Sequence, residues 1–152
     1  MFACLESIEN VNILAPTHKD RLGIFSFYVN DVHFNLIVKL LNDRFGIQTR
    51  GGCSCAGTYG HFLLNVDQQT SEAIEKQIVE GCSVEKPGWV RLSIHPSIKD
   101  VEVDFICKGL KAVCKNVDVW KQDYDYDAIN NDYKHKSHIS VEKELVKKWF
   151  AN

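Results

Sequence analysis

The sequence lacks both an excess of basic residues and a long apolar run. It has 18 basic and 20 acidic residues and a formal net charge of −2, whereas a nucleic-acid-binding domain usually carries clustered positive charge. No apolar stretch approaches the roughly 20 residues that a membrane-spanning helix requires. Internal repeats and low-complexity segments are absent as well. We therefore expect no nucleic-acid partner and no membrane span.

Signals for secretion and for a disulfide framework are also missing. The N-terminal stretch MFACLESIEN has no basic start and no apolar core of the kind found in signal peptides. The cysteines are irregularly spaced, and in an intracellular protein such cysteines are usually free thiols. These features favour a cytoplasmic protein with six thiols, at positions 4, 53, 55, 82, 107 and 114.

The length and composition favour one globular domain that spans residues 1–152. The chain is 45% hydrophobic and 25% charged, as is usual for globular proteins. A chain of this size buries about 68–70% of its unfolded surface, so it can form a core without disulfides or a metal.

Local patterns predict a strand, a helix and a second strand in the first third of the chain. Residues 21–29 are rich in aromatic and β-branched side chains, as strands are. The apolar residues of 34–45 recur at helical spacing, and Gly46 follows in the position of a C-terminal cap. Residues 47–50 are typical of a short strand. The stretch 51–60 holds four of the nine glycines, which predicts a tightly turning segment.

The middle of the chain predicts two helices and a strand. A helix is expected over 69–81, where Gly81 ends it. A strand is expected over 89–94, and a long helix over 101–115. The positions of this long helix that we expect to be buried are Val101, Val103, Ile106, Leu110 and Val113.

The last part of the sequence is less regular. Residues 117–138 mix aromatics with acids, asparagines and lysines, and we expect no regular structure there. A final helix is expected after Ser140, ending at Trp149 and Phe150. The order of elements predicts an α+β domain of two layers, in which helices cover a small, mostly antiparallel sheet.

The segment RGGCSCA, which begins at Arg50, is the sharpest chemical feature. An arginine at a strand end can donate two parallel hydrogen bonds to a carboxylate. A cysteine in an exposed glycine-rich loop can act as a thiolate nucleophile. Three alternatives stay open on chemistry alone. Cys53 and Cys55 could ligate zinc, form a strained disulfide, or merely pack in a turn.

Three stretches of the sequence resemble the C-terminal domain of class V pyridoxal-phosphate (PLP) enzymes, the group that includes the cysteine desulfurases. In that family, a strand ending in serine-phenylalanine leads to a helix, as RLGIFSF does here. A segment with glycine-isoleucine, an arginine and a cysteine-alanine pair follows, as in FGIQTRGGCSCAG. A later strand carries an arginine and a serine two residues apart, as in VRLS. The resemblance covers the chain from about residue 8 onward, including the aromatic tail.

The resemblance implies roles for three residues. Cys55 matches the cysteine that accepts the substrate sulfur as a persulfide in cysteine desulfurases. Arg91 matches the arginine that grips the substrate α-carboxylate, and Arg50 matches one that lies near the substrate. Cys53 and Ser54 stand where the best-known desulfurases have two histidines.

The resemblance also implies a cofactor and partners. The cofactor is PLP, and the lysine that forms its Schiff base belongs to a large domain that precedes this region. We therefore expect this chain to lack the Schiff-base lysine, to bind no PLP alone and to be catalytically incompetent without the large domain, in the same or a separate chain. The substrate would be an amino acid. Homodimers are common in the family.

Other residues and other functions stay open. His61 could act as a metal ligand or an acid/base group, and packing near a helix end is the simpler interpretation. His95 follows a strand and either faces the active site or belongs to a turn. A small zinc-binding module using Cys53, Cys55 and His61 is one alternative function. A free-standing thiol or persulfide carrier, acting through Cys55, is another.

Overall fold

A computed structural model describes residues 1–53, 57–79, 87–137 and 148–150. In this part of the chain, no helix is long and apolar enough to cross a membrane. The elements, in chain order, are α1 (Phe2–Glu6), β1 (Val11–Ile13), β2 (Ile24–Val29), α2 (Phe34–Phe45), β3 (Arg50–Gly52), α3 (Gly57–Leu63), α4 (Gln68–Val79), β4 (Trp89–Ser93), α5 (Asp100–Trp120), a 3₁₀ turn (Lys121–Asp123), β5 (Tyr124–Asp127) and β6 (Asp132–His135).

The main sheet has four strands in the order β1-β2-β4-β3, and each neighbouring pair is antiparallel. A second sheet is the antiparallel hairpin β5–β6. Helices α2 and α5 pack on each other, and α2 also contacts β3 and β4. The predicted α+β class is confirmed, and so is the expectation of a mostly antiparallel sheet.

Buried and more exposed residues alternate along β2, and this alternation shows which face of the main sheet the helices cover. Phe25, Phe27 and Val29 are buried, whereas Ser26 and Tyr28 between them are partly exposed. Successive strand residues project to opposite faces, so one face of the sheet meets α2 and α5 while the other remains more open. The fully buried side chains that join sheet and helices include Phe27, Ile37, Leu40, Leu41, Val90, Leu110 and Val113.

Helix α2 has the bounds that the sequence predicted, because both of its ends are locally encoded. At its start, the backbone N–H of Asn35 donates to Nδ1 of His33 over 3.2 Å. At its end, Gly46 has φ +66°, a left-handed conformation that costs glycine little. The N–H of Gly46 donates to the carbonyl of Asn42 over 2.9 Å.

Strand β3 begins at Arg50, the last residue of the predicted strand 47–50, and extends into the glycine-rich segment. The reason is the close approach of this strand to α2. A Cβ atom added at Gly51 would lie 2.7 Å from the ring of Phe34 and 2.7 Å from Oδ1 of Asn35. Only glycine fits at that distance, so the glycines permit pairing with β4.

Three predictions for the second half were wrong. Helix α5 extends to Trp120 instead of ending at 115, because buried Val117 continues the helical spacing of the core-facing residues. At its other end Val101, expected to be buried, is 69% exposed. The segment 117–138 was expected to be irregular but contains the hairpin, in which Tyr126 pairs with Tyr133. Cross-strand aromatic pairs stabilise such hairpins.

The other predicted helices and strands agree with the structure wherever it describes those residues. Strand 89–94 is confirmed as β4, and the helix predicted at 69–81 is confirmed as α4. The predicted stop at Gly81 and most of the helix after Ser140 lie outside the described residues, although 148–150 are helical. The strand predicted from residue 21 begins at Ile24. The short elements α1, β1 and α3 were not predicted.

His33 joins the start of α2 to the β5–β6 hairpin. Its ring stacks on Phe34, with 4.4 Å between centroids, and lies 5.4 Å from the ring of Tyr126 and 5.6 Å from that of Tyr133. Within the described residues, its buried Nε2 has no hydrogen-bond partner. Burial lowers the pKa of His33 below its ordinary value of 6.5, so the ring is neutral in the folded protein near neutral pH.

Protonation of His33 is expected to destabilise the fold as the pH falls below about 6.5. The unfolded chain binds this proton more readily than the folded chain does, so the contribution is complete above that pH and is lost below it. The charge would also oppose the dipole at the start of α2. Urea denaturation at about pH 7 and about pH 5.5 measures the loss. His33→Asn keeps a capping oxygen but cannot titrate, so its free energy of unfolding should fall less. An equal fall in both proteins would contradict the prediction.

Candidate functional site

The register of the sheet brings Arg50 and Arg91 together. Arg50 on β3 is the direct partner of Arg91 on β4, and Ser26 on β2 is the partner of Arg91 on its other side. Direct partners in an antiparallel sheet project to the same face. Val90, beside Arg91, is fully buried toward the helices. The two arginines therefore leave the sheet on the face opposite Val90, beside β3, which is an edge strand.

Both arginines line a cavity of about 540 Å³ at the β3 edge of the sheet. Ser93, two residues after Arg91, lines it as well, because alternate residues of a strand share a face. Lys39 of α2 and Asp132 of β6 also contribute, with 3.8 Å between Nζ and the carboxylate oxygen. Three cationic side chains and one carboxylate give these groups a net charge of +2, which favours a small anion.

Arg91 carries a hydrogen-bond donor that the described residues do not satisfy. Its Nε is buried and has no partner there. Leaving a buried donor unpaired costs about 1–3 kcal/mol, so such a group usually has a further role. The guanidinium presents parallel N–H donors that match a carboxylate. The arrangement can therefore bind an anion whose oxygen accepts from Arg91.

Cys53 lies at the end of β3, next to the start of β4. Its Sγ donates to the backbone carbonyl of Pro87, which ties the chain after β3 to the segment before Trp89. Cys55 and Ser54 lie outside the described residues. The role of Cys55 as a sulfur acceptor therefore stays a prediction.

The two candidate histidines have local hydrogen-bond partners. Nδ1 of His61, on α3, lies 2.6 Å from Oγ of Ser71 on α4, so His61 links these helices. Nδ1 of His95, just after β4, lies 2.7 Å from Oγ of Ser97 and accepts the N–H of Ser97 over 3.2 Å. These contacts agree with the packing and turn interpretations. Neither histidine is among the residues that line the cavity of Arg50 and Arg91.

The described residues offer no site of the usual zinc type. No group of three or more histidine, cysteine, aspartate or glutamate side chains could hold a metal ion in the part of the chain that the structure describes. Cys53 and His61, two of the ligands considered for zinc, are hydrogen-bonded to Pro87 and Ser71. A zinc module that depends on Cys55 stays untested.

Three helical cysteines lie away from the cavity. Cys4, Cys107 and Cys114 are partly buried, and Cys82 lies outside the described residues. Burial raises the pKa of Cys4 to about 12 and that of Cys114 to about 11. A thiol acts as a nucleophile through its thiolate. Cys4 and Cys114 therefore stay protonated and are poor nucleophiles at neutral pH.

Sequence reasoning missed Lys39 and Asp132 as cavity residues. Lys39 occupies an ordinary polar position of an amphipathic helix, and Asp132 lies in a segment that we expected to be irregular. The two meet because the hairpin packs against α2. No local sequence signal relates them, since their proximity depends on how distant segments pack.

Comparison with known proteins supports the family resemblance. The family model described as aminotransferase class-V matches residues 1–106, which include β1 to β4 and both arginines of the cavity. No curated protein gives a significant match. The matched part covers more than two thirds of the chain and includes the sheet that carries Arg50 and Arg91. The chain therefore belongs to the class V aminotransferase family, whose members are generally PLP-dependent.

Proposed function

We propose that this chain is the C-terminal domain of a PLP-dependent, cysteine desulfurase-like class V enzyme, and that it binds the α-carboxylate of an amino-acid substrate. One observation carries the proposal: Arg91 and Arg50 are direct partners on adjacent strands and line one cavity, and Arg91 has a buried, unpaired Nε. An amino-acid carboxylate would satisfy that donor.

The chemistry of the cavity favours a carboxylate over a neutral ligand. Arg91 is partly buried, and removal of its charge from water is costly unless an anion compensates it. The Lys39–Asp132 ion pair leaves both guanidiniums available for such an anion. A carboxylate can accept two parallel N–H bonds from one guanidinium. Arg91 would hold the carboxylate, and Arg50 would add a second cation beside it.

The lysines of the described residues favour a PLP site in another domain. A Schiff-base lysine works when it is buried and desolvated beside its cofactor. Every lysine in the described ranges is exposed except Lys39, which is half-buried and ion-paired with Asp132. The cofactor chemistry is therefore assigned to a large domain in the same or a separate chain. This chain contributes carboxylate binding and Cys55, the proposed sulfur acceptor.

Carboxylate binding by Arg91 can be tested on the chain itself. We expect L-alanine to shift the Nε–H resonance of Arg91 in NMR spectra, with a dissociation constant on the order of millimolar because only part of the intact site is present. Ethylamine, which is alanine without its carboxylate, should not shift it. Arg91→Lys should weaken alanine binding about tenfold or more, because hydrogen bonds to charged groups contribute about 1.5–3 kcal/mol.

Arg44→Lys is the matched control for this titration. Arg44 is ion-paired with Asp123 over 2.8 Å and stacks on Trp120, with 4.2 Å between its Cζ and the ring centroid, so its substitution should leave alanine binding unchanged. Equal shifts with ethylamine and alanine, or unchanged affinity in Arg91→Lys, would overturn the proposed carboxylate site.

The proposal also predicts the size of the native protein. An antibody against this 17.4 kDa domain should detect, in the source cells, a band of about twice this mass or more, because a PLP-binding domain adds at least one further domain. A single band at 17.4 kDa would contradict a continuous enzyme. The large domain would then be a separate chain, or the chain would act alone as a persulfide carrier.

A further inference from the structure

Two buried polar atoms that lack a hydrogen-bond partner among the described residues belong to side chains that line one cavity. One atom is Nε of Arg91, on which the proposed function rests. The other is the hydroxyl oxygen of Thr49, which is shielded from solvent. Thr49 lines the cavity together with Arg50 and Arg91. Because a buried hydroxyl without a partner is costly, the two atoms point to one ligand group that would satisfy both.

The register of the sheet brings Thr49 close to Arg91. Thr49 directly precedes Arg50, which is the strand partner of Arg91. Consecutive Cα atoms are about 3.8 Å apart and antiparallel partners about 4.5–5.5 Å, so the Cα atoms of Thr49 and Arg91 are at most about 9 Å apart. Thr49 lies outside β3, at the sheet edge where α2 and β4 both line the cavity. A single carboxylate in this cavity can therefore reach both side chains.

We propose that Thr49 is a further binding residue for the substrate α-carboxylate, an inference that rests on the proposed function of Arg91. The hydroxyl of Thr49 donates a hydrogen bond to a carboxylate oxygen, while Arg91 donates its N–H bonds to the same group. A hydroxyl rotates to meet its acceptor, and each carboxylate oxygen can accept more than one hydrogen bond. The bond from Thr49 therefore adds to those from Arg91 and does not replace them. Hydrogen bonds to an ionised acceptor are about twice as strong as those between neutral groups.

Thr49→Val tests the hydroxyl, because valine keeps the size and branching of the side chain. Titration with L-alanine, followed through the Nε–H resonance of Arg91, should show binding weakened about tenfold or more. Thr49→Ser keeps the hydroxyl and should bind alanine much as the natural chain does. Propionate, which is alanine without its amine, should lose as much affinity in Thr49→Val as alanine loses. A loss for alanine alone would assign the hydroxyl to the ammonium group and contradict the proposal.

The same substitution should not lower the stability of the ligand-free chain. Valine removes a buried hydroxyl that has no partner among the described residues, and valine suits an extended segment as well as threonine does. The urea midpoint of Thr49→Val should therefore equal or exceed that of the natural chain. A hydroxyl with only a structural role would give the opposite pattern, a lower midpoint with unchanged affinity for alanine, and that result would exclude Thr49 from binding.

Thr17→Val is the matched control. Thr17 is exposed, with its hydroxyl oxygen 3.1 Å from Nδ1 of His18, and it is not among the residues that line the cavity. This variant should bind alanine as the natural chain does. Unchanged affinity in Thr49→Val, together with weaker binding in Arg91→Lys, would overturn the role of Thr49 alone. If Arg91→Lys also bound alanine with unchanged affinity, the proposed carboxylate site would fall as a whole.

One measurement needs no substitution, so it applies even if a variant fails to fold. In the natural chain, the methyl resonance of Thr49 should shift with the same dependence on alanine concentration as the Nε–H resonance of Arg91. Ethylamine should shift neither resonance. A methyl resonance of Thr49 that stays fixed while that of Arg91 shifts would show that the ligand does not reach Thr49.

Discussion

Replacing Cys55 with serine is expected to lower sulfur transfer by roughly a thousandfold or more in the enzyme that includes the PLP-binding domain. The expectation rests on the proposed function, in which the Cys55 thiolate receives the substrate sulfur as a persulfide. A serine hydroxyl is a far weaker nucleophile near neutral pH and cannot form that sulfur–sulfur bond. Sulfide release from L-cysteine in the presence of dithiothreitol measures the rate, and peptide mass spectrometry detects the persulfide.

Cys53→Ser is the control for Cys55, because the two cysteines are separated by one residue and differ in proposed role. Sγ of Cys53 donates to the carbonyl of Pro87, and a serine hydroxyl can donate the same bond. Its activity should stay close to that of the natural enzyme. Full activity in Cys55→Ser would remove Cys55 from the reaction. Loss in Cys53→Ser alone would transfer the role to Cys53.

Replacing Phe27 with alanine is expected to lower the free energy of unfolding by about 3–5 kcal/mol. Phe27 is fully buried in the middle of β2, opposite Ile13 of β1 and Val90 of β4. Its removal leaves a cavity between the sheet and the helices that close packing cannot readily refill. Total stabilities are about 5–15 kcal/mol, so this single change threatens the fold. Urea denaturation followed by circular dichroism measures the loss.

Phe62→Ala is the same substitution at a surface position. Phe62 lies on α3 and is 75% exposed, with its ring 6.3 Å from that of Tyr59. Its removal should change the free energy of unfolding by no more than about 0.5 kcal/mol. If both variants lost the same stability, the assignment of Phe27 to the core would be wrong.

Elements encoded by neighbouring residues were the ones that the sequence predicted well. Helix α2 needed only its apolar spacing and the glycine after it, and both features act within a few residues. The alternation in β2 identified a strand for the same reason. Helix α5 was predicted too short, because Val117 continues its buried face only when the sheet and α2 lie beneath it. The hairpin β5–β6 was missed because its tyrosines stabilise it by pairing across strands.

The residues of the candidate site were predicted from the sequence, but their arrangement was not. Arg50 and Arg91 were identified through motifs of the family, each on its own short segment. The motifs do not state that the two arginines are direct partners, since register depends on how β3 pairs with β4. In that register Gly51 pairs with Val90 and lies close to Phe34 and Asn35 of α2.

By itself, the sequence determined the family, the α+β class and the arginines that are proposed to bind a carboxylate, because these depend on short motifs and local periodicity. Only the tertiary structure placed both arginines in one cavity with Lys39 and Asp132, and Cys107 beside Met1. These groups lie far apart along the chain. They meet because burial of the apolar faces of α2, α5 and the sheet leaves few ways to pack these elements together.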